Sequence, residues 1–316
     1  MRSFGPSAAV MLSLVCSSGM NRLQGSDPSR RNEKAVEAAL PTAHTKPIAS
    51  EISHVPRPPS WKPARVDDEK VTVLDGVACS TTQVLDEVTH RVTEFVANMN
   101  RIAATERVVQ EDLNSSGKVV STEKLRFDYV ASISTLPSGE LDVEEFRNAH
   151  SGPGNLRGIA TLGLPALAIV FHERYRLNYD FKCEGLGEWE GRATWLLHFR
   201  QRHDRPSRFL TYIVDGKSYP VGLEGRAWIA ADSFQIMRME ADVMNPVPKI
   251  QLREGHQVVE YKPFIFHDGR VEMWLPVVAD LYFDVHHRKW HRKHSFDSYV
   301  LFSVTTKEKI GMPAFP

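Results

Sequence analysis

The stretch that decides the fold is Arg192-Ala193-Thr194-Trp195-Leu196-Leu197-His198-Phe199-Arg200-Gln201. Trp195, Leu197 and Phe199 fall on alternate positions, the period-two pattern of a strand with one buried face. Working outward, strand-like runs recur at 180–188, 208–214, 221–230, 234–243, 257–266, 271–283 and 288–305. Short connectors rich in turn residues part them, such as Trp189-Glu190-Gly191, Asp215-Gly216-Lys217 and Ala231-Asp232-Ser233. Successive strands with short links make an antiparallel meander.

Upstream the period changes. Over 75–100, Val84, Leu85, Val88, Val92, Phe95, Val96 and Met99 recur at three and four, an amphipathic helix that Ser80 or Thr81 can cap. A hairpin follows, 104–113 and 118–134, around Asn114-Ser115-Ser116-Gly117, with a short strand near 144–148. A second helix is expected over 158–176, interrupted at Pro165. The fold class is therefore α+β: one large curved antiparallel sheet, a half-open β-barrel meander, with helices covering its concave face. Trp195, Leu197 and Phe199, with Trp228 from another strand and Leu164 and Leu167 from the second helix, are the expected lining of that face.

Residues 1–20 read as an export signal: Arg2, an apolar run from Ala8 to Val15, then Ser17, Ser18 and Gly19. The run is too short to span a bilayer. Cys16 raises the question of a lipoprotein, but Ser13-Leu14-Val15 lacks the small residue expected just before a lipidated cysteine, so soluble export is the leading reading. Residues 21–70 carry six prolines between Pro41 and Pro63 and few large apolar residues, a composition that predicts a disordered Pro/Ser-rich tether. The folded half-barrel domain is expected over 71–310, in the periplasm or otherwise secreted into the cell envelope.

Lys+Arg and Asp+Glu are 39 each in 316 residues, so the chain as a whole lacks the basic excess of a dedicated nucleic-acid binder. Once 1–20 is removed, two cysteines remain, Cys79 and Cys183, an even pair that invites a disulfide in an oxidising compartment; two buried thiols are the alternative. The segment from His286 to His294 packs four His and four Arg/Lys into nine positions. His287 and His291 have helical zinc spacing but sit in a strand pattern, so no metal is expected. Arg288, Lys289, Arg292 and Lys293 are candidates for an anionic contact, a membrane surface included, or else a solvated edge guarded by charge. No catalytic signature stands out: His203-Asp204 lies in a polar turn, Glu184, Glu188 and Glu190 surround a hairpin end, and no G-x-S-x-G or phosphate-cradling loop is present.

Gly225-Arg226-Ala227-Trp228-Ile229, a turn, then Ile236-Met237-Arg238-Met239-Glu240 has the form "G-R-x-W-I … I-x-R-x-E". With Leu275-Pro276 and the closing Tyr299 to Phe302, it resembles the periplasmic lipoprotein carriers and lipoprotein-sorting proteins, by way of secreted bacterial proteins built on that plan. The resemblance covers roughly 75–305. It implies a half barrel holding acyl chains under a helical lid, a lipid or acylated protein as partner, no enzyme activity and no metal; no cofactor is expected. No ligand-binding residue transfers, because the carriers' cavity arginine has no single counterpart here. The alternatives are an envelope scaffold or partner-binding β module with a filled core, and a secreted hydrolase. The carrier reading requires an oily trough that stays open.

Overall fold

The computed structural model describes residues 10–13, 63–99, 102–150, 159–161, 164–207, 210–214, 217–266 and 271–301. Most of the expected export signal and tether, Trp61 included, lies outside them. The elements in chain order are β1 (Val10–Ser13), α1 (Thr81–Asn98), β2 (Ile102–Leu113), β3 (Val119–Thr135), β4 (Leu141–Ala149), β5 (Ile159–Thr161), β6 (Tyr179–Trp189) and β7 (Arg192–Gln201). Then come β8 (Leu210–Val214), β9 (Lys217–Val221), β10 (Leu223–Ala230), β11 (Ile236–Val243), β12 (Leu252–Phe266), β13 (Val271–Val285) and β14 (Arg288–Leu301).

Ten strands pair in the order β4-β3-β2-β14-β13-β12-β11-β10-β7-β6, antiparallel throughout. Laid flat, such a sheet would separate its outer strands by about 43 Å, nine intervals of ~4.8 Å. The two edges are in fact held together by one short segment. The backbone N–H of Leu141, which opens β4, donates to Tyr175 Oη at 3.1 Å, and four residues later Tyr179 opens β6. Four residues reach at most ~14 Å, and with the Tyr175 side chain and its hydrogen bond added the span still falls well short of the flat sheet's width, so the sheet must roll. It does not close, because β4 and β6 do not pair. The expected half-open meander is thus present.

The expected helical content is not. α1 is shorter than predicted and is the one α-helix among the described residues. Ser80 caps it by accepting from the Gln83 N–H at 3.3 Å, and Val84, Val88, Val92 and Val96 place one buried valine on each turn. The predicted second helix is instead the strand β5 and a 3₁₀ segment, Leu164–Phe171. Leu167, Ala168, Ile169, Val170 and Phe171 are all buried, so the segment has no polar side and lacks the amphipathic period of a surface helix. α1 contacts β3 near one edge of the sheet and β6 and β7 at the other.

Two features were not anticipated. β5, β1, β8 and β9 form a separate four-stranded sheet, so Val10–Ser13 from the expected export signal is an interior strand. The end of the expected tether also packs on the outside of the roll. Val66 is fully buried, its N–H donates to Asp242 Oδ2 at 2.7 Å, and its carbonyl accepts from Arg226 Nη1 at 3.2 Å. Further on, the Leu74 N–H donates to the Leu186 carbonyl, and Cys79 and Cys183 form the expected disulfide, tying the start of α1 to β6.

Candidate ligand-binding trough

The inner wall is set by strand register. Leu197 pairs with Ala227 and Phe199 with Gly225, and both Leu197 and Phe199 are fully buried. Gly225 is required there: a Cβ on it would sit 2.3 Å from both the Glu240 carbonyl oxygen and the Phe199 ring. Phe171 and Tyr179 close edge-on over Phe199, with centroids 6.0 and 5.9 Å away. Trp195 is partly buried beside Ile229, and Leu167 lies in the same core. The Leu164 side chain lies outside the described residues.

Trp228 does not face the trough. It is one residue out of phase with Ala227 and lies on the outer face, opposite Leu196 and Arg238. There the Arg238 guanidinium lies over both the Trp228 and Trp189 rings, at 5.2 and 4.6 Å.

Among the described residues, the protein's own side chains pack against this wall. Where α1 and the 3₁₀ segment meet the sheet, a cavity of about 20 Å³ is lined by Val92, Phe95, Ala168, Ile236, Tyr261 and Trp274. The small sheet covers another part. Tyr212 of β8 stands edge-on to Phe283, and its hydroxyl fits against Gly255, where an added Cβ would lie 3.0 Å away. About 10 Å³ remains beneath it. Neither space admits more than a water-sized group.

The wall is also not apolar throughout. Where β2, β3, β4 and β14 meet, Glu106 is fully buried and takes a bidentate pair of bonds from Arg147, 2.6 and 3.0 Å long, while His294 Nδ1 lies 2.7 Å from it. Tyr129 donates to Glu145 at 2.5 Å, and Arg147 also reaches Glu145. Burial opposes ionisation of Glu106 and is the largest influence, yet the Arg147 charge and the His294 contact outweigh it and hold its carboxyl near 2. Burial lowers His294 to about 4, so it is neutral at pH 7.

Arg292 belongs to this inner group. It is 3% exposed and donates to Gln110, and burial, then the like charge of Arg147, lowers it to about 9. It therefore parts from Arg288, which is exposed, and from Lys289 and Lys293, which are half-buried; alternation on β14 sends Arg292 to the opposite face from the two lysines.

On the outer face the register lines up Asp242, His256, Tyr282, His291 and Glu111 on five adjacent strands. Each imidazole has carboxylates at both nitrogens: Asp242 and Glu240 for His256, Glu111 and Asp280 for His291. No ring nitrogen is left to act as a base. His203 is exposed, and Asp204 is paired with Arg202. Glu184 is held by Arg226 and Glu190 by Lys262, so these carboxylates do not face one another across a cleft. Among the described residues no group of three or more His, Cys, Asp or Glu is arranged to hold a metal.

The sequence reading missed the Glu106–Arg147–His294 group. Its members are 41 and 188 positions apart, so no local motif joins them. One signal was present: His294 shares the phase of Phe296, which marks it as inward-facing.

No protein-family model matches the chain, and no curated protein is similar enough in sequence to be matched to it. Among solved structures it is similar to a LolA superfamily protein from Nitrosomonas europaea, at 11% identity and a TM-score of 0.35, covering 72% of this chain and 96% of that one. A domain described as an outer membrane lipoprotein-sorting protein from Vibrio parahaemolyticus gives 10% and 0.39, covering 74% and 95%. The lipoprotein LppX of Mycobacterium tuberculosis gives 9% and 0.25, covering 72% and 100%. These are the group of proteins that the strand motifs resemble. At that level of overlay no residue of one chain maps onto another.

Proposed function

We propose that this is a non-catalytic protein of the cell envelope, exported by residues 1–20, that holds a lipid or lipoprotein acyl chain against the inner wall of its half barrel. The observation that carries this reading is how the wall is covered. Among the described residues no strand of the small sheet pairs with the ten-stranded sheet, and α1 and the 3₁₀ segment meet it mainly through side chains. These covers can therefore move without breaking the main ladder. An acyl chain must displace one of them, because the two spaces between the described covers and the wall hold only about 20 and 10 Å³. Burying each methylene contributes about 0.8 kcal/mol, so a sixteen-carbon chain offers on the order of 12 kcal/mol toward that opening. The Cys79–Cys183 disulfide suits an oxidising compartment. The exposed His286, His287 and Arg288 at the β13–β14 tip, with Arg253 beside them, suit an anionic membrane surface.

The test is lipid mass spectrometry on purified protein, with uptake of a fluorescent fatty acid. Co-purified lipid and saturable uptake are expected. Lipid-free protein that takes up no probe removes the reading. The observation favouring the second reading, a partner-binding module with a filled core, is the smallness of the two cavities. Its expected sign is a stable crosslinked protein complex with no lipid.

A further inference from the structure

The small sheet is completed by a strand from the far N-terminus. Val10, Met11 and Leu12 run parallel to Ile159, Ala160 and Thr161 of β5. On the other side Val10 to Ser13 run antiparallel to Val214, Ile213, Tyr212 and Thr211 of β8. Without this strand, β5 loses its only sheet partner among the described residues, and β8 becomes an edge. The gap between them is two strand spacings wide, about 9.6 Å.

One wall of that gap is fixed in advance. Leu210, Tyr212 and Val214 of β8 are buried, and Tyr212 is seated on Phe283 and Gly255 of the main sheet. What fills the gap is decided by the backbone. Both edges present ladder N–H and C=O groups, and each such group left unsatisfied away from water costs about 1–3 kcal/mol. An acyl chain fills volume but satisfies none of them; an extended peptide satisfies both edges. The observed occupant, Val10-Met11-Leu12-Ser13, is uncharged and mostly apolar.

We propose that the gap between β5 and β8 is a strand-acceptor site for an extended, uncharged, apolar peptide. The full-length chain fills it with its own Val10–Ser13, and removal of residues 1–20 opens it to a partner protein's segment of the same chemistry. The opening rests on reading 1–20 as a removable export signal; nothing in the site rests on acyl binding.

The test keeps the whole chain during folding. A specific protease site is inserted between residues 20 and 62, and the folded protein is then cut. The fragment carrying β1 is expected to co-migrate with the body on gel filtration. It should exchange for a labelled peptide of residues 8–15, Ala-Ala-Val-Met-Leu-Ser-Leu-Val. The same peptide with Met11→Pro, which lacks the backbone N–H at its centre, should bind at least tenfold more weakly. A fragment that departs, with no saturable binding of the labelled peptide, overturns the proposal. So does equal binding of the proline peptide, which would mean apolar adsorption, or displacement of the peptide by a fatty acid at one shared site. The intact mass of the exported protein reads the remaining premise: a chain that still begins at Met1 makes β1 a permanent strand and overturns the opening step, whatever the lipid experiments show.

Discussion

The pair of carboxylates around His256 should make this protein lose stability in mild alkali. His256 is 4% exposed, with Nδ1 3.0 Å from Asp242 and Nε2 3.3 Å from Glu240. Arg238 also bonds Glu240, the Val66 N–H bonds Asp242, and Tyr282 is the register neighbour on β13. Burial alone would lower the imidazole and is the largest influence. The hydrogen bonds to Asp242 and Glu240, with their charges, outweigh it and raise His256 to about 8. The interval from an ordinary 6.5 to about 8 corresponds to roughly 2 kcal/mol. Because the folded value is the higher one, that stabilisation is complete below pH 6.5 or so and is lost as pH rises through about 8. Urea unfolding of the full chain between pH 6 and 9 should show a fall of about 2 kcal/mol. His256→Gln, which keeps polar contacts but cannot charge, should be less stable at pH 6 and nearly flat across the range. If the variant keeps the wild-type slope, the clamp is not the source and the reasoning fails.

Other changes probe the remaining supports. Replacing Cys79 and Cys183 together by Ala opens a loop 104 residues long, which should cost about 4–5 kcal/mol and lower Tm by roughly 10–20 °C by calorimetry; an unchanged melt would mean that the bond constrains little. Gly225→Ala drives a Cβ to within 2.3 Å of the Glu240 carbonyl and the Phe199 ring, and should cost about 3 kcal/mol in chemical unfolding. Arg147→Met strands the buried Glu106 charge, with an expected loss of about 3–5 kcal/mol. Adding Glu106→Gln should recover part of it, and a double-mutant cycle that shows simple additivity would contradict the pairing.

What was legible in the sequence follows from whether a face was exposed. α1 could be read because its valines recur once per turn beside polar residues, and β7 ended where the alternation ended. β10 is buried at all eight positions, so alternation there carries no information about which side is inside, and Trp228 was assigned to the wrong face. β9 was overlooked because it is short and contains Pro220, which only an edge strand tolerates. The apolar run at Val10 fits an export signal and a strand equally well, since both need the same uncharged residues. The closing of the trough was invisible for a further reason: whether an apolar wall meets a ligand or another part of the chain depends on long-range packing that no local pattern encodes.

That packing also says where the trough should open. α1 is fixed at both ends, by the Cys79–Cys183 bond one residue before its cap and by a short link into β2 after Asn98. Along its length Thr89 bonds the Phe171 carbonyl and Arg91 the Ser233 carbonyl. Among the described residues the small sheet meets the wall through apolar packing alone, by Leu210, Tyr212 and Val214 of β8 with Tyr219 and Val221 of β9. A ligand should therefore enter beneath β8 rather than beneath α1. A covalent lock between Tyr212→Cys and Gly255→Cys, made with a bifunctional thiol reagent long enough to replace the tyrosine side chain that now reaches Gly255, should abolish fatty-acid uptake, while each single variant treated in the same way should keep it. Uptake indifferent to that lock would place the entrance elsewhere and would leave α1, despite its anchors, as the part that moves.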